Sequence, residues 1–239
     1  MYAREVEGRT LTFGVSGMLF RDGLVMYDRQ TETLWTQVDG RSVNGPLRGR
    51  QLRILPAVHA MWKQWRTLHP TTRVLRKGGE FRSAYDDYNR NRARLGIMGR
   101  RNADNRLPGK ERVLGLRVGG AAMAFPIAAV RDARLVQTDV GGTPVLLVAP
   151  SPDLPVLAYE RRVGSRDLTF RLESPDGRPV LRDVETGSTW DMSTGRASAG
   201  SMTGAQLNPS SAYSAFWFGW RGYFPTTGVW QASARPARE

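Results

Sequence analysis

Short hydrophobic runs broken by polar and glycine-containing turns recur along the chain. They are "RTLTFGV" at 9–15, "GLVMYD" at 23–28, "RVLGLRV" at 112–118, "TPVLLVA" at 143–149 and "DLTFRLE" at 167–173. Their Val, Leu, Thr and aromatic content suits pleated strands. Asp22-Gly23 and Asp176-Gly177 read as hairpin turns in which glycine takes a positive φ. Gly119-Gly120 and Gly141-Gly142 punctuate two more strand pairs.

The period changes twice. Val58, Met61, Trp62, Trp65 and Leu68 recur at three- and four-residue spacing, as do Tyr213, Phe216, Trp217, Trp220 and Tyr223. That is one apolar face of a short helix. Pro56 suits a first-turn position, Ser210 or Ser211 suits a cap, and Pro70 and Pro225 stop the helices. Each helix is expected to pack its two tryptophans on the sheet of its own segment.

The two helical stretches are near copies. "MWKQWRTLHPTT" from Met61 returns as "FWFGWRGYFPTT" from Phe216. Trp62 and Trp217 differ by 155, as do Trp35 and Trp190, Asp28 and Asp183, Gln51 and Gln206, and Pro70 and Pro225. No gap is needed from 28 to 72. Further back, "GRTLTF" at 8–13 meets "SRDLTF" at 165–170 at an offset of 157. Self-similarity of this length is a duplication. The second copy includes Val113–Pro150, whose counterpart would lie ahead of Met1, so the chain reads as one and a half repeats. The expected fold is mainly β (α+β): two tandem β-rich repeats related by pseudo-twofold symmetry, each ending in a short Trp-bearing helix. Residues 1–72 form a first repeat incomplete at its N-terminus, 73–112 an Arg-rich connection, and 113–239 a complete second repeat.

Composition narrows the function classes. At 239 residues, with 40% hydrophobic residues and seven Trp, the chain is long and apolar enough for a sizeable core. No run approaches the roughly 18 to 20 apolar residues of a membrane-spanning helix, and the first residues contain no apolar stretch of a secretion signal. Cysteine is absent and only His59 and His69 supply imidazole, so neither disulfides nor a thiolate or His-rich metal site is expected. No metal or other cofactor is expected. The net charge of +13 comes almost wholly from arginine. Such a balance fits a polyanion partner, but arginine spread along the chain with only three lysines fits a compositional bias better, and a nucleic-acid partner ranks last.

No phosphate-binding loop, dinucleotide fingerprint or metalloprotease helix is present. "GVSG" at 14–17 is one residue short of a nucleophile elbow. The densest polar element is "YDRQTETLW" at 27–35. Its carboxylates suit acid–base work, and Asp28 with Trp35 equally suits a structural turn in which the carboxylate accepts backbone N–H bonds. Positions that differ between the copies are the better candidates for a specific role. Arg29, Glu32, Gln37 and His69 meet Val184, Gly187, Met192 and Phe224. The ligand-binding candidates are therefore Asp28, Arg29, Glu32, Gln37 and His69. Trp35, Trp62, Trp65, Trp190, Trp217 and Trp220 are the structural anchors of the repeat. No catalytic residue stands out.

The stretch "LTFGVSGMLF…LVMYDRQTETLWTQ…G…LRG", together with "HPTTRVL", "KERVLGLRVGGAAMAFPI" and "DVGGTPV", resembles domain-of-unknown-function family 3179 over nearly the whole chain. The resemblance implies no particular activity. It implies export or lipoprotein anchoring for longer forms, hence a periplasmic or extracellular setting, and a "CPLCG"-like motif in the first copy. Here the equivalent positions of the second copy are Pro150, Ser151, Pro152 and Asp153, without cysteine. The leading expectation is a non-catalytic extracytoplasmic β-repeat module that binds a ligand or partner. The alternatives are a relative of a cysteine-dependent redox or metal enzyme whose reactive half lies upstream, and a polyanion binder. A homodimer covering open strand edges is an expected assembly.

Overall fold

The strand-forming runs pair into four four-stranded sheets and two short two-stranded hairpins among the described residues, with antiparallel pairing at nearly every step. The structure is a computed structural model that describes residues 1–75, 85–97, 99, 104–177 and 179–232. The molecule is mainly β. Its helices are short: α1 (Trp62–Leu68), α2 (Asp86–Arg90), α3 (Ile127–Ala133) and α4 (Trp217–Tyr223). The chain divides into two compact units that do not follow sequence order. Unit 1 holds Met1–Ala57, Ser83–Glu111 and Ala215–Thr226; unit 2 holds Val58–Arg82, Arg112–Ser214 and Thr227–Glu239.

In unit 1, β1 (Phe13–Phe20), β2 (Gly23–Asp28), β3 (Leu34–Thr36) and β4 (Ser42–Asn44) lie in that order. The β1–β2 turn differs from its sequence reading. Arg21 and Asp22 carry the positive φ angles, 51° and 63°. Gly23 is instead the first strand residue, paired with Phe20, and it must be glycine because the Tyr223 hydroxyl occupies the place of a Cβ. Ser16 spends its hydroxyl on the Val25 carbonyl at 2.6 Å and on the Met18 N–H at 3.1 Å, so it serves the irregularity in β1.

Unit 2 contains the other three sheets, save Ala215 and Phe216 at the end of one strand. One has β5 (Arg112–Val118) and β6 (Ala121–Pro126) at its centre, flanked by β15 (Ala212–Phe216) and the parallel β16 (Gly228–Val229). A second is β7 (Leu135–Val140), β8 (Thr143–Val148), β9 (Leu157–Glu160) and β14 (Asn208–Pro209). A third, β10 (Phe170–Glu173), β11 (Val180–Asp183), β12 (Thr189–Trp190) and β13 (Ala197–Ala199), has the strand order and pairing of β1–β4. Gly119-Gly120 and Gly141-Gly142 all adopt positive φ and close the β5–β6 and β7–β8 hairpins, as expected. The uninterrupted apolar run of β8 has a two-sided cause. Leu146 and Val148 enter a cluster with Phe170, Leu181 and Trp190, while Val145 and Leu147 enter one with Leu116, Phe125 and Val130. Each such side chain contributes roughly 1.5–3 kcal/mol by burial.

The sheets β1–β4 and β10–β13 are built on one device. Asp28 is fully buried beneath Trp35. Its Oδ1 accepts the Thr31 N–H at 2.6 Å and its Oδ2 accepts the Trp35 indole N–H at 2.9 Å. Asp183 accepts Thr186 N–H at 2.6 Å and the Trp190 indole at 2.8 Å. Phe13 meets the Trp35 ring edge-on at 6.1 Å, and Phe170 meets Trp190 likewise at 5.7 Å. Burial opposes ionisation of either carboxylate, but the indole and threonine donors outweigh it and hold both groups below the ordinary aspartate pKa.

A depressed folded pKa stabilises the fold above the unfolded value, near 3.9, and that contribution is lost as pH falls through the folded value. Denaturant midpoints should therefore drop on acidification below about pH 4 in the native chain, and drop less in Asp28→Asn. At pH 7 Asp28→Ala should cost roughly 1–3 kcal/mol, since it strands a buried indole N–H and a backbone N–H.

Candidate functional site

Helix α1 is seated by polar bonds, and its tryptophans are left outside. Gln64, two residues past Trp62 and so about 200° around the helix, is almost fully buried. Its Nε2 donates to the carbonyls of Pro152 at 3.2 Å and Leu154 at 3.0 Å, and its Oε1 accepts the Met61 N–H at 3.0 Å. Arg131 supports the same loop by donating to Ser151 and Leu154 carbonyls, and Lys63 pairs with Asp153 at 2.7 Å. All of these residues belong to unit 2. A cavity of about 200 Å³ lies at this seat, with Leu114 and Ile127 on its apolar side and His59, Arg112 and Arg131 on its polar side.

The opposite face of α1 is open. Trp62 is 50% exposed, Trp65 40% and Met61 61%. A groove of about 410 Å³ runs along it, lined by Trp62, Lys63, Arg66, Thr67 and Pro70. The exposed indole and methionine side chains thus share this face with Lys63 and Arg66. The expectation that Trp62 and Trp65 pack into a core is not met, because the buried side of the helix is organised around Gln64.

Helix α4 takes the other course. Trp217 and Trp220 are fully buried in unit 1. The Trp217 indole donates to the Asp104 carbonyl at 3.1 Å, and its backbone N–H donates to Glu111 at 2.9 Å. The Arg106 guanidinium lies 5.1 Å over the Trp217 ring and holds the Asp104 carboxylate in a two-pronged bond. That bond lowers the Asp104 pKa to about 2. Tyr223 donates to the Phe20 carbonyl. The described end of the Arg-rich connection is thus the plate on which α4 rests, and Lys110 in it is spent on Tyr88 and Asn91 carbonyls. Residues 76–84, 98 and 100–103 of that connection lie outside the described residues.

The sequence candidates do not converge. Asp28 lies buried in its turn. Arg29 is exposed and donates to the Tyr27 hydroxyl at 3.0 Å. Glu32 is exposed at a positive φ of 56°. Gln37 is exposed, and its carbonyl accepts the Tyr2 hydroxyl at 3.0 Å. His69 belongs to unit 2, where its ring stacks on Trp65 at 4.1 Å and its N–H closes the last turn of α1. Among the described residues no group of three or more His, Asp or Glu is placed to hold a metal ion. The residue the sequence reading missed is Gln64. Its signal was available, since Gly219 stands at the matching place in α4, 155 residues on.

The family described as "Protein of unknown function (DUF3179)" matches residues 1–227. No curated protein and no solved structure matches the chain.

The two tryptophan pairs should separate in stability measurements. Trp217→Ala should cost about 3–5 kcal/mol, as removal of a fully buried indole does, whereas Trp62→Ala should cost under about 1 kcal/mol. Gln64→Leu should loosen α1, seen as faster amide exchange at Trp65–His69 with α4 unaffected.

Proposed function

We propose that this chain, which belongs to the DUF3179 family, is a non-catalytic binding module assembled from tandem β-rich repeats, and that the outer face of α1 is its interaction surface. One observation carries the reading: the chain leaves Trp62, Trp65 and Met61 open on a helix that is otherwise firmly seated. Two exposed indoles beside Arg66 suit a polypeptide surface that combines apolar side chains with a carboxylate. The duplication is supported by matching bonds. Asp28, Thr31 and Trp35 repeat as Asp183, Thr186 and Trp190, and the Tyr2–Ile54 bridge repeats as Tyr159–Pro209. An extracytoplasmic setting is part of the reading and rests on the family resemblance alone.

A photoreactive phenylalanine placed at Trp62 in the native host tests it. Irradiation should give one discrete adduct, which excess purified chain suppresses and excess Trp62→Ala/Trp65→Ala chain does not. A smear of adducts, or an adduct that neither competitor affects, would overturn the proposal.

A further inference from the structure

The open surface of α1 has a counterpart in this chain whose occupant is visible. At an offset of 155, Ala57–Met61 corresponds to Ala212–Phe216, and Trp62–Leu68 to Trp217–Tyr223. Ala212–Phe216 is strand β15, hydrogen-bonded to β5. Ala57–Met61 is neither strand nor helix, and the N–H groups of Ala57–Ala60 donate to no described residue. Yet its backbone has the same course where it enters the helix. Met61 lies at φ −70° and ψ 154°, and Phe216 at φ −76° and ψ 145°.

The helix donors differ in the same way. The Trp217 indole N–H, the Trp217 backbone N–H and the Phe218 N–H are taken by carbonyls of Asp104, Glu111 and Gly109. Trp62 and Lys63, which correspond to them, donate these groups to no described acceptor. Arg221 lies 3.5 Å from the Asp104 carboxylate, while its counterpart Arg66 faces no described carboxylate. One segment therefore meets the indole, both backbone N–H groups and the arginine charge in the second copy: an acid-bearing turn, Asp104–Glu111, followed by the apolar strand β5. The charge of Arg66 calls for the same acid.

We propose that Ala57–Leu68 is a strand-addition site for a half-repeat of the Asp104–Pro150 type. The new strand pairs with Ala57–Met61, and its preceding turn covers Trp62 and neutralises Arg66. This rests on the reading of α1 as an interaction surface and names its occupant. A second intact copy does not serve as occupant, because its own β15 and α4 already hold the corresponding segment.

The test joins a second copy of residues 104–157 directly ahead of Met1 in the full chain. That places the added half-repeat at the spacing of the second copy, in which Ala158 corresponds to Met1 and Tyr159 to Tyr2. Of the seven tryptophans Trp62 and Trp65 are exposed, Trp230 is half-buried and the rest are buried, so acrylamide quenching of indole fluorescence reports chiefly on Trp62 and Trp65. Joining should reduce the quenchable fraction to that of Trp230 and slow amide exchange at 57–61 by about tenfold or more, and Arg66→Ala should partly reverse both. A folded extended chain with unchanged exchange and quenching would overturn the inference. Should that chain not fold, a peptide of residues 104–118 added to the unmodified protein should protect Trp62 and Trp65 saturably, where a scrambled peptide does not; no protection would overturn it. Protection of 57–61 that grows with the concentration of the unmodified chain would assign the surface to self-association and also overturn it. In either failure a discrete, competed adduct at position 62 leaves the interaction surface itself standing.

Discussion

A buried carboxylate beneath an indole governs the architecture of both four-stranded meanders. An aspartate taken out of water costs several kcal/mol unless its oxygens are filled by donors. Asp28 and Asp183 meet that condition locally, with a threonine three residues on and a tryptophan seven residues on. The bond fixes where the chain turns back after the second strand. It also fixes the indole in the plane where Phe13 or Phe170 meets it edge-on. Each small core gathers around that ring: Val6, Leu11 and Leu52 on Trp35, and Leu168, Leu181 and Leu207 on Trp190.

Upon this shared frame, one helical motif has two outcomes. In α4 the aromatic face is the buried face, and the indole, the backbone donors and Arg221 all find partners in residues 104–111. In α1 the buried position is Gln64, whose amide is wholly consumed by Pro152, Leu154 and Met61. The polar seat leaves two indoles in solvent. Burying each would contribute a few kcal/mol, and that unrealised gain is the physical basis for reading α1 as a surface awaiting a partner.

Much of this was legible from residue order. The strands at 23–28, 112–118 and 143–148 follow from short runs rich in Val, Leu and aromatic residues, and the double-glycine turns follow from the positive φ that a two-residue hairpin demands. The Asp–Trp turn was legible as one of two readings, because its donors lie within seven residues. Ala212–Phe216 was not: its aromatic spacing reads as helix, and pairing beside β5 makes it strand. Gly23 misled for a similar reason, since the group that excludes a side chain there is Tyr223, two hundred residues away.

The sequence by itself determined the elements whose bonds close within a turn or a hairpin, together with the 155-residue spacing at which Asp28 matches Asp183 and Trp62 matches Trp217. Only the tertiary structure decided which face of each of the two helices turns inward. That choice depends on distant carbonyls, those of Pro152 and Leu154 for α1 and those of Asp104 and Glu111 for α4. Helical periodicity fixes which residues share a face. It carries no information about which face finds hydrogen-bond partners across the fold.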